Sequence, residues 1–100
     1  MDSIIEIISK NIISNNKYNQ KLKTEYVSTI NRISTTKTNI MQLYRSMDYV
    51  LLYNTLYEEI IYLVKQQKYF NKHLYIDVRN VLDDYINERI ELYNHYINKL

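Results

Sequence analysis

The chain has 100 residues, of which 46% are apolar and 24% are charged, and its formal net charge is +2. A chain of this length and composition forms one small folded unit at most, so we expect a single domain over residues 1–100. Glycine, proline, alanine and cysteine are all absent, which excludes glycine-rich phosphate loops, nucleophile elbows and cysteine nucleophiles. Because neither Gly nor Pro interrupts the backbone, long helices are expected.

The missing residues also share a genetic property. Codons for Gly, Pro and Ala begin with two G or C bases, whereas the abundant Ile, Asn, Tyr and Lys have A/T-rich codons. The simplest interpretation is an AT-rich genome, and we expect a viral or mobile-element source. The same bias can supply the 12 tyrosines, so their number alone does not indicate a function.

The first predicted helix covers residues 3–13. Ser3 and Glu6 have the spacing of an N-terminal capping box, and isoleucines recur every four residues on one face. Residues 14–17 are the clearest break in the chain, because asparagine tolerates the left-handed conformation that often ends a helix.

A heptad pattern extends over residues 22–64. One set of its positions is Tyr26, Ile33, Ile40, Met47, Asn54 and Ile61, and the other is Leu22, Thr29, Thr36, Leu43, Val50, Tyr57 and Val64. All but Thr29, Thr36 and Asn54 are apolar. Such a seam is typical of a coiled coil or a long helical hairpin, and it closes either within one chain or between two copies.

Two segments could interrupt this helix. Residues 34–39 are weak helix formers, and Asn39 with Gln42 has the spacing of a new capping box; the sequence leaves continuity and a break equally open there. A second break is predicted at residues 46–48.

A loop or helix end is predicted at residues 69–74, and the last helix at residues 77–98. Asp77 is the expected N-cap, and Lys99 suits the C-terminal end of the helix dipole. The predicted apolar face comprises Val78, Val81, Leu82, Tyr85, Ile86, Leu92, Tyr93, Tyr96 and Ile97.

These elements predict an all-α fold of three to four helices, arranged as a long antiparallel hairpin or a small helical bundle. The densest apolar segment, residues 49–64, contains Asn54, Glu58 and Glu59, so we expect a core helix and no membrane span. No basic region precedes the first isoleucines, which argues against a secretory signal. We therefore expect a soluble intracellular protein, located in the host cytoplasm if it is viral.

Basic residues are concentrated in the first half of the chain. Residues 10–47 contain seven Lys or Arg and one Glu, whereas residues 48–100 contain six Lys or Arg and eight Asp or Glu. This asymmetry favours a polyanionic partner, although charged helix faces are more often simply solvated. The candidate nucleic-acid-binding residues are Lys17, Lys21, Lys23, Arg32, Lys37 and Arg45.

Four residues are predicted to bind a protein partner: Leu51, Tyr53, Asn54 and Tyr62. Leu51 and Tyr62 fall within the polar arc of their helix, so each needs a second partner from this chain or another. Tyr53 belongs to a row of tyrosines four residues apart, and tyrosine is frequent at interface hot spots. Asn54 either sets the register of a buried seam or faces solvent.

No catalytic or metal-binding group is predicted. Asp84, Glu88, Glu91 and His95 share one face of the last helix, but their spacing differs from the Glu-x-x-His motif of di-iron bundles. We expect a solvated acidic face, no cofactor and no enzymatic activity.

The sequence as a whole favours a non-enzymatic protein-interaction module that acts as an adaptor, structural component or inhibitor. The alternative hypothesis is a basic helical nucleic-acid-binding protein. A protein partner, a homo-oligomer, or both are expected.

Overall fold

The structure, a computed structural model, describes residues 2–100, with side chains from Ile4 onwards. It confirms the all-α prediction. The helices are α1 (Asp2–Ser14), α2 (Gln20–Arg45), α3 (Tyr49–His73) and α4 (Ile76–Lys99). They form an elongated bundle measuring 46 × 22 × 19 Å.

Side chains cap two of the three helices whose N-terminal caps the structure describes. The Leu22 amide donates to Asn19 Oδ1 at 2.8 Å, and the Leu51 amide donates to Asp48 Oδ1 at 3.3 Å. The predicted Asp77 cap is wrong, because α4 begins one residue earlier and Tyr75 is its N-cap; Asp77 lies in the first turn. The predicted cap at Ser3 falls on a side chain outside the described ones.

Helix α2 is continuous through residues 34–39, which the sequence left open. The Thr35 hydroxyl donates to the Asn31 carbonyl at 3.0 Å, and the Thr38 hydroxyl donates to the Ser34 carbonyl at 3.4 Å. Because these hydroxyls bond to carbonyls one turn back, they do not compete with the helix for its own amides. Ile33 and Ile40 are buried on either side, so tertiary packing overrides the weak propensity.

The predicted break at residues 46–48 is a tight turn between α2 and α3. The Met47 amide donates to the Tyr44 carbonyl and the Asp48 amide to the Leu43 carbonyl, at 3.2 and 3.1 Å. This is a Schellman motif, in which the left-handed position is normally glycine. Met47 occupies that position at φ 59° because the chain has no glycine.

Helix α3 packs closely against α2 on one side and against α4 on the other, and α1 packs against α4. Buried apolar residues of all four helices form one cluster, whose fully buried members include Ile12, Tyr26, Leu52, Leu56, Leu63, Phe70, Leu82 and Ile86. Val81 and Leu92, which the sequence placed on the apolar face of α4, are instead 43% and 40% exposed.

The heptad seam is buried in α2 but not in α3. All six seam positions of α2 from Leu22 to Ile40 are buried. In α3 the buried positions are Leu52, Leu56, Glu59, Leu63 and Phe70, whereas Val50 is 77% exposed. The prediction of one seam running from Leu22 to Val64 is therefore wrong beyond Leu43, because the turn reverses the chain and presents a different face of α3 to the core.

Tyr18 and Tyr26 link neighbouring segments of the chain at the end of the bundle where α2 begins. The Tyr18 hydroxyl accepts a hydrogen bond from the Tyr75 amide at 3.2 Å, and the two rings lie 5.1 Å apart. Tyr26 and Ser9 share a hydroxyl hydrogen bond of 2.9 Å between α2 and α1. Helix α1 thus contacts both α2 and α4, and it lies over the gap between them.

A charged layer crosses the middle of the core. Glu59 of α3 is 5% exposed, and its Oε1 accepts a hydrogen bond from Arg32 Nε at 2.7 Å. Arg89 of α4 is also buried, with its guanidinium carbon 5.1 Å from the Tyr85 ring centroid. Burial, followed by the negative charge of Glu59, raises the pKa of Tyr93 to about 12, although Arg89 opposes the shift.

We expect Glu59→Gln to lower the free energy of unfolding by about 2 kcal/mol, because it weakens the charge-assisted hydrogen bond from Arg32 and removes the counter-charge of Arg32. This figure is below the usual range for buried pairs because Arg32 can reach water. Urea unfolding followed by circular dichroism measures the change. Glu58→Gln, the same substitution on an exposed neighbour, should change stability by less than about 0.5 kcal/mol; equal effects would contradict the role of the layer.

The raised pKa of Tyr93 predicts a loss of stability in alkali. Between pH 10 and about 12 the folded protein retains the Tyr93 proton that the unfolded chain releases. The contribution of Tyr93 to the free energy of unfolding is therefore fully present below pH 10. It decreases above pH 10, by up to about 1.4 kcal/mol per pH unit. In urea unfolding across this range, Tyr93→Phe should reduce the slope, while Tyr57→Phe, on an exposed side chain, should leave it unchanged.

Candidate interaction surfaces

Three of the four predicted protein-binding residues lie exposed on α3. Leu51 is 49% exposed, Tyr53 is 44% exposed, and Asn54 is exposed. Leu51 borders a cavity of about 440 Å³ between the last turns of α2 and the start of α3. Tyr53 and Asn54 lie farther round the helix, on the side away from α2.

Tyr62 has its partners within the chain. The Arg32 guanidinium lies 3.9 Å from the Tyr62 ring centroid, and the Tyr62 hydroxyl is 3.2 Å from Thr29 Oγ1. Helix α2 is therefore the second partner that this residue required. The prediction that Tyr62 serves another protein is not supported, because its ring and hydroxyl both contribute to packing between α2 and α3.

The outer face of α3 carries an apolar stripe. At about 100° per residue, Val50, Tyr53, Tyr57 and Ile61 lie on the side of the helix away from its buried leucines. They are 77%, 44%, 54% and 43% exposed. The Tyr53 and Tyr57 rings stack with centroids 6.4 Å apart and planes 12° apart. These four residues with Asn54 and the half-buried Val64 are called the outer stripe below.

Asn54 does not belong to a seam within the chain. It is exposed in the middle of the outer stripe, so the solvent-facing interpretation holds for the isolated chain. Asn54 still shares one face of α3 with Val50, Tyr57 and Ile61, at the heptad spacing that the sequence predicts.

Sequence reasoning missed a groove between α2 and α4. Three adjoining cavities of about 220, 300 and 310 Å³ follow these helices from Lys37 to Leu100. Met41 and Tyr44 border them from α2, and Leu92 and Tyr96 border them from α4. The one feature of the sequence that could have indicated the groove is the apolar Leu92. Its exposure in a groove follows from the separation of α2 from α4, which the sequence pattern does not give.

The six candidate nucleic-acid-binding residues do not share a face. Lys17 lies in the loop before α2. At about 100° per residue, Lys21 and Arg32 fall on the edge of α2 that faces α3, Lys23 and Lys37 fall on the opposite edge, and Arg45 faces outward. Arg32 is bonded to Glu59, Lys23 borders a cavity beside α1, and Lys37 and Arg45 border the groove.

The acidic face of α4 has no metal-binding geometry. Across the described side chains, no three His, Asp or Glu residues converge as metal ligands. Asp83, which lies on the other edge of α4, instead accepts hydrogen bonds from Gln67 and Asn71 of α3. Among residues 2–100, no helix is long and apolar enough to cross a bilayer.

A comparison of the chain with protein-family profiles, with curated proteins and with solved structures finds no match.

Tyr62 and Tyr57 lie on the same helix, but replacing each with serine should affect stability differently, because only Tyr62 contacts α2. Tyr62→Ser removes a cation–π contact and a hydrogen bond, and we expect it to lower the free energy of unfolding by about 2 kcal/mol. Tyr57→Ser should change it by less than about 0.5 kcal/mol in the dilute protein. Urea unfolding at low protein concentration measures both, and a larger loss for Tyr57 would contradict the assignment.

Proposed function

We propose that this protein is a non-enzymatic interaction module that self-associates through the outer stripe of α3. It serves as a structural component or adaptor by pairing this helix with α3 of a second copy. The observation that carries the proposal is the outer stripe itself, an apolar surface on a helix whose opposite face already closes the core.

The length and composition of the outer stripe suit a helical partner. From Val50 to Ile61 it extends about 16 Å at 1.5 Å per residue. Adjoining exposed apolar side chains of this kind mark interaction surfaces, and tyrosine is common at their centres. Stacking of Tyr53 on Tyr57 orders both rings before binding, which reduces the entropy lost on association.

The spacing of the outer stripe also supports a helical partner. Val50, Asn54, Tyr57, Ile61 and Val64 alternate by four and three residues, as the seam positions of a coiled coil do. A single asparagine within such a seam fixes the register of the pair at some cost in stability. Asn54 occupies that position.

Charge order along α3 favours an antiparallel second copy as the partner. Of the exposed charges around the outer stripe, Asp48 lies before its start, Glu58 lies within it, and the basic Lys65, Lys68 and Lys72 lie beyond its end. A parallel copy would place like charges level with each other. An antiparallel copy that sets Val50 level with Ile61 of its mate places Lys65 near Asp48 of the mate, so the surface is self-complementary.

Analytical ultracentrifugation over a concentration series tests the self-association. The unmodified chain should form a dimer, and Tyr57→Ser with Ile61→Ser should shift it to the monomer, because both side chains lie in the seam. Val27→Ser is the control, since Val27 is a similarly exposed apolar residue on α2. A monomer at concentrations up to about 100 μM, or equal effects of all variants, would overturn the proposal.

The absence of cysteine allows the orientation to be tested separately. We expect Val50→Cys and Ile61→Cys chains to form a disulfide when mixed under mild oxidation, because antiparallel pairing brings these positions together. Neither variant alone should cross-link efficiently, since identical positions then lie well apart. Efficient cross-linking of each variant with itself would indicate parallel pairing and contradict the charge argument.

We further propose a viral or mobile-element origin, which rests on residue usage alone. A coding gene in a genome of balanced base composition would contradict it.

A further inference from the structure

The gap between α2 and α4 is covered along only part of its length. Helix α1 packs against α4 and bonds to Tyr26 of α2. Since a short loop joins the end of α1 to the start of α2, α1 runs back along α2. Its 13 residues extend about 20 Å, whereas the 26 residues of α2 extend about 39 Å at 1.5 Å per residue. The rest of the gap is the groove described above, here called the α2/α4 groove.

The walls of the α2/α4 groove are apolar and accessible. Met41 and Tyr44 of α2 are 48% and 56% exposed, and Leu92 of α4 is 40% exposed. Tyr96 borders all three cavities along the groove, which makes them one continuous depression. Apolar grooves between helices commonly receive the apolar face of a further helix.

The rim of the α2/α4 groove is basic. The exposed Lys37 and Arg45 border it from α2, and the exposed Lys99 borders it from α4. The described lining residues include no Asp or Glu. A bound helix that carries acidic residues beside its apolar face would therefore meet complementary charge.

We propose that the α2/α4 groove binds an acidic amphipathic helix of another protein. The seating of α1 in the same gap shows that a short helix with inserted isoleucines fits between α2 and α4. The open part extends about 16 Å from Arg89 to Leu100 at 1.5 Å per residue, which accommodates about three helical turns. Helix α1 carries both Glu6 and Lys10, so its charge is not complementary to the basic rim. A helix of another protein therefore suits the groove better than α1 of a second copy.

Defined peptides test this proposal by fluorescence anisotropy. The probe is a labelled helix of about 12 residues with leucines on one face and glutamates elsewhere. A second peptide replaces every glutamate with lysine, and a third scrambles the first to remove the apolar face. We expect the acidic amphipathic peptide to bind at least about tenfold more tightly than either of the others.

Variants of the protein locate the binding surface. Lys37→Glu with Arg45→Glu should weaken binding of the acidic peptide by about tenfold or more and strengthen that of the lysine peptide. The control, Lys17→Glu with Lys21→Glu, makes the same change in charge on exposed residues at the other end of α2 and should leave peptide affinity unchanged. Met41→Ser with Leu92→Ser should weaken binding of the acidic peptide, but the acidic peptide should still bind more tightly than the lysine peptide. Melting curves confirm that each variant folds.

Three outcomes would overturn the proposal. Equal binding of the scrambled peptide would show charge attraction without a helical site. Equal effects of the two charge-reversal pairs would place binding outside the groove. Equal or tighter binding of a peptide with the sequence of residues 2–14 would assign the groove to α1 of another copy. The dimerisation test uses different residues and no peptide, so either proposal can fail without the other.

Discussion

Helix α3 packs against α2 along one edge and against α4 along the other, and the remaining surfaces depend on this double contact. Leu52, Leu56 and Leu63 are fully buried, so one face of α3 is committed to the core over its whole length. The buried side chains of Tyr93 and Arg89 lie on the side of α4 that faces α2 across the groove. The bundle is consequently closed around α3 and open between α2 and α4, where α1 covers one half of the opening.

Polar contacts align the two halves of the α2–α3 hairpin. Glu59 meets Arg32, Tyr62 meets Thr29, and Gln66 Nε2 donates to Thr29 Oγ1 at 2.7 Å. These are successive turns of two antiparallel helices in one register. A slip by one turn would leave the buried Glu59 carboxylate without its counter-charge, at a cost of several kcal/mol. Apolar packing holds the helices together, and this ladder specifies which residues face each other.

The same ladder explains why the sequence predicted α2 well and α3 poorly. Helix α3 carries two stripes with heptad spacing. The inner one contains Leu52, Leu56, Glu59, Leu63, Gln66 and Phe70, and the outer one contains Val50, Asn54, Tyr57, Ile61 and Val64. Sequence periodicity favours the outer stripe because Glu59 and Gln66 make the inner one look polar. Only the contacts on α2 show why they can be buried: Glu59 Oε1 accepts from Arg32, and Gln66 Nε2 donates to Thr29. Those contacts are not encoded in local spacing. In α2 the only polar residues of the seam are threonines, whose hydroxyls can bond to their own helix, as Thr29 does to the Glu25 carbonyl at 2.8 Å; periodicity alone therefore identified the buried face.

The two exposed apolar surfaces lie at one end of the bundle and on opposite sides of it. Residues 50–54 of α3 are level with residues 37–41 of α2, because the hairpin sets Glu59 level with Arg32 and Tyr62 level with Thr29; the start of the outer stripe therefore lies beside the groove. The outer stripe faces away from α2 and α4, whereas the α2/α4 groove opens on the far side of these helices. Antiparallel pairing through the outer stripe would therefore leave a groove open on each side of the dimer. Two copies of a binding site on one rigid body increase the avidity for a partner that presents several acidic helices, provided that the partner can span the dimer. A small helical bundle of this kind would then act by bringing such partners together.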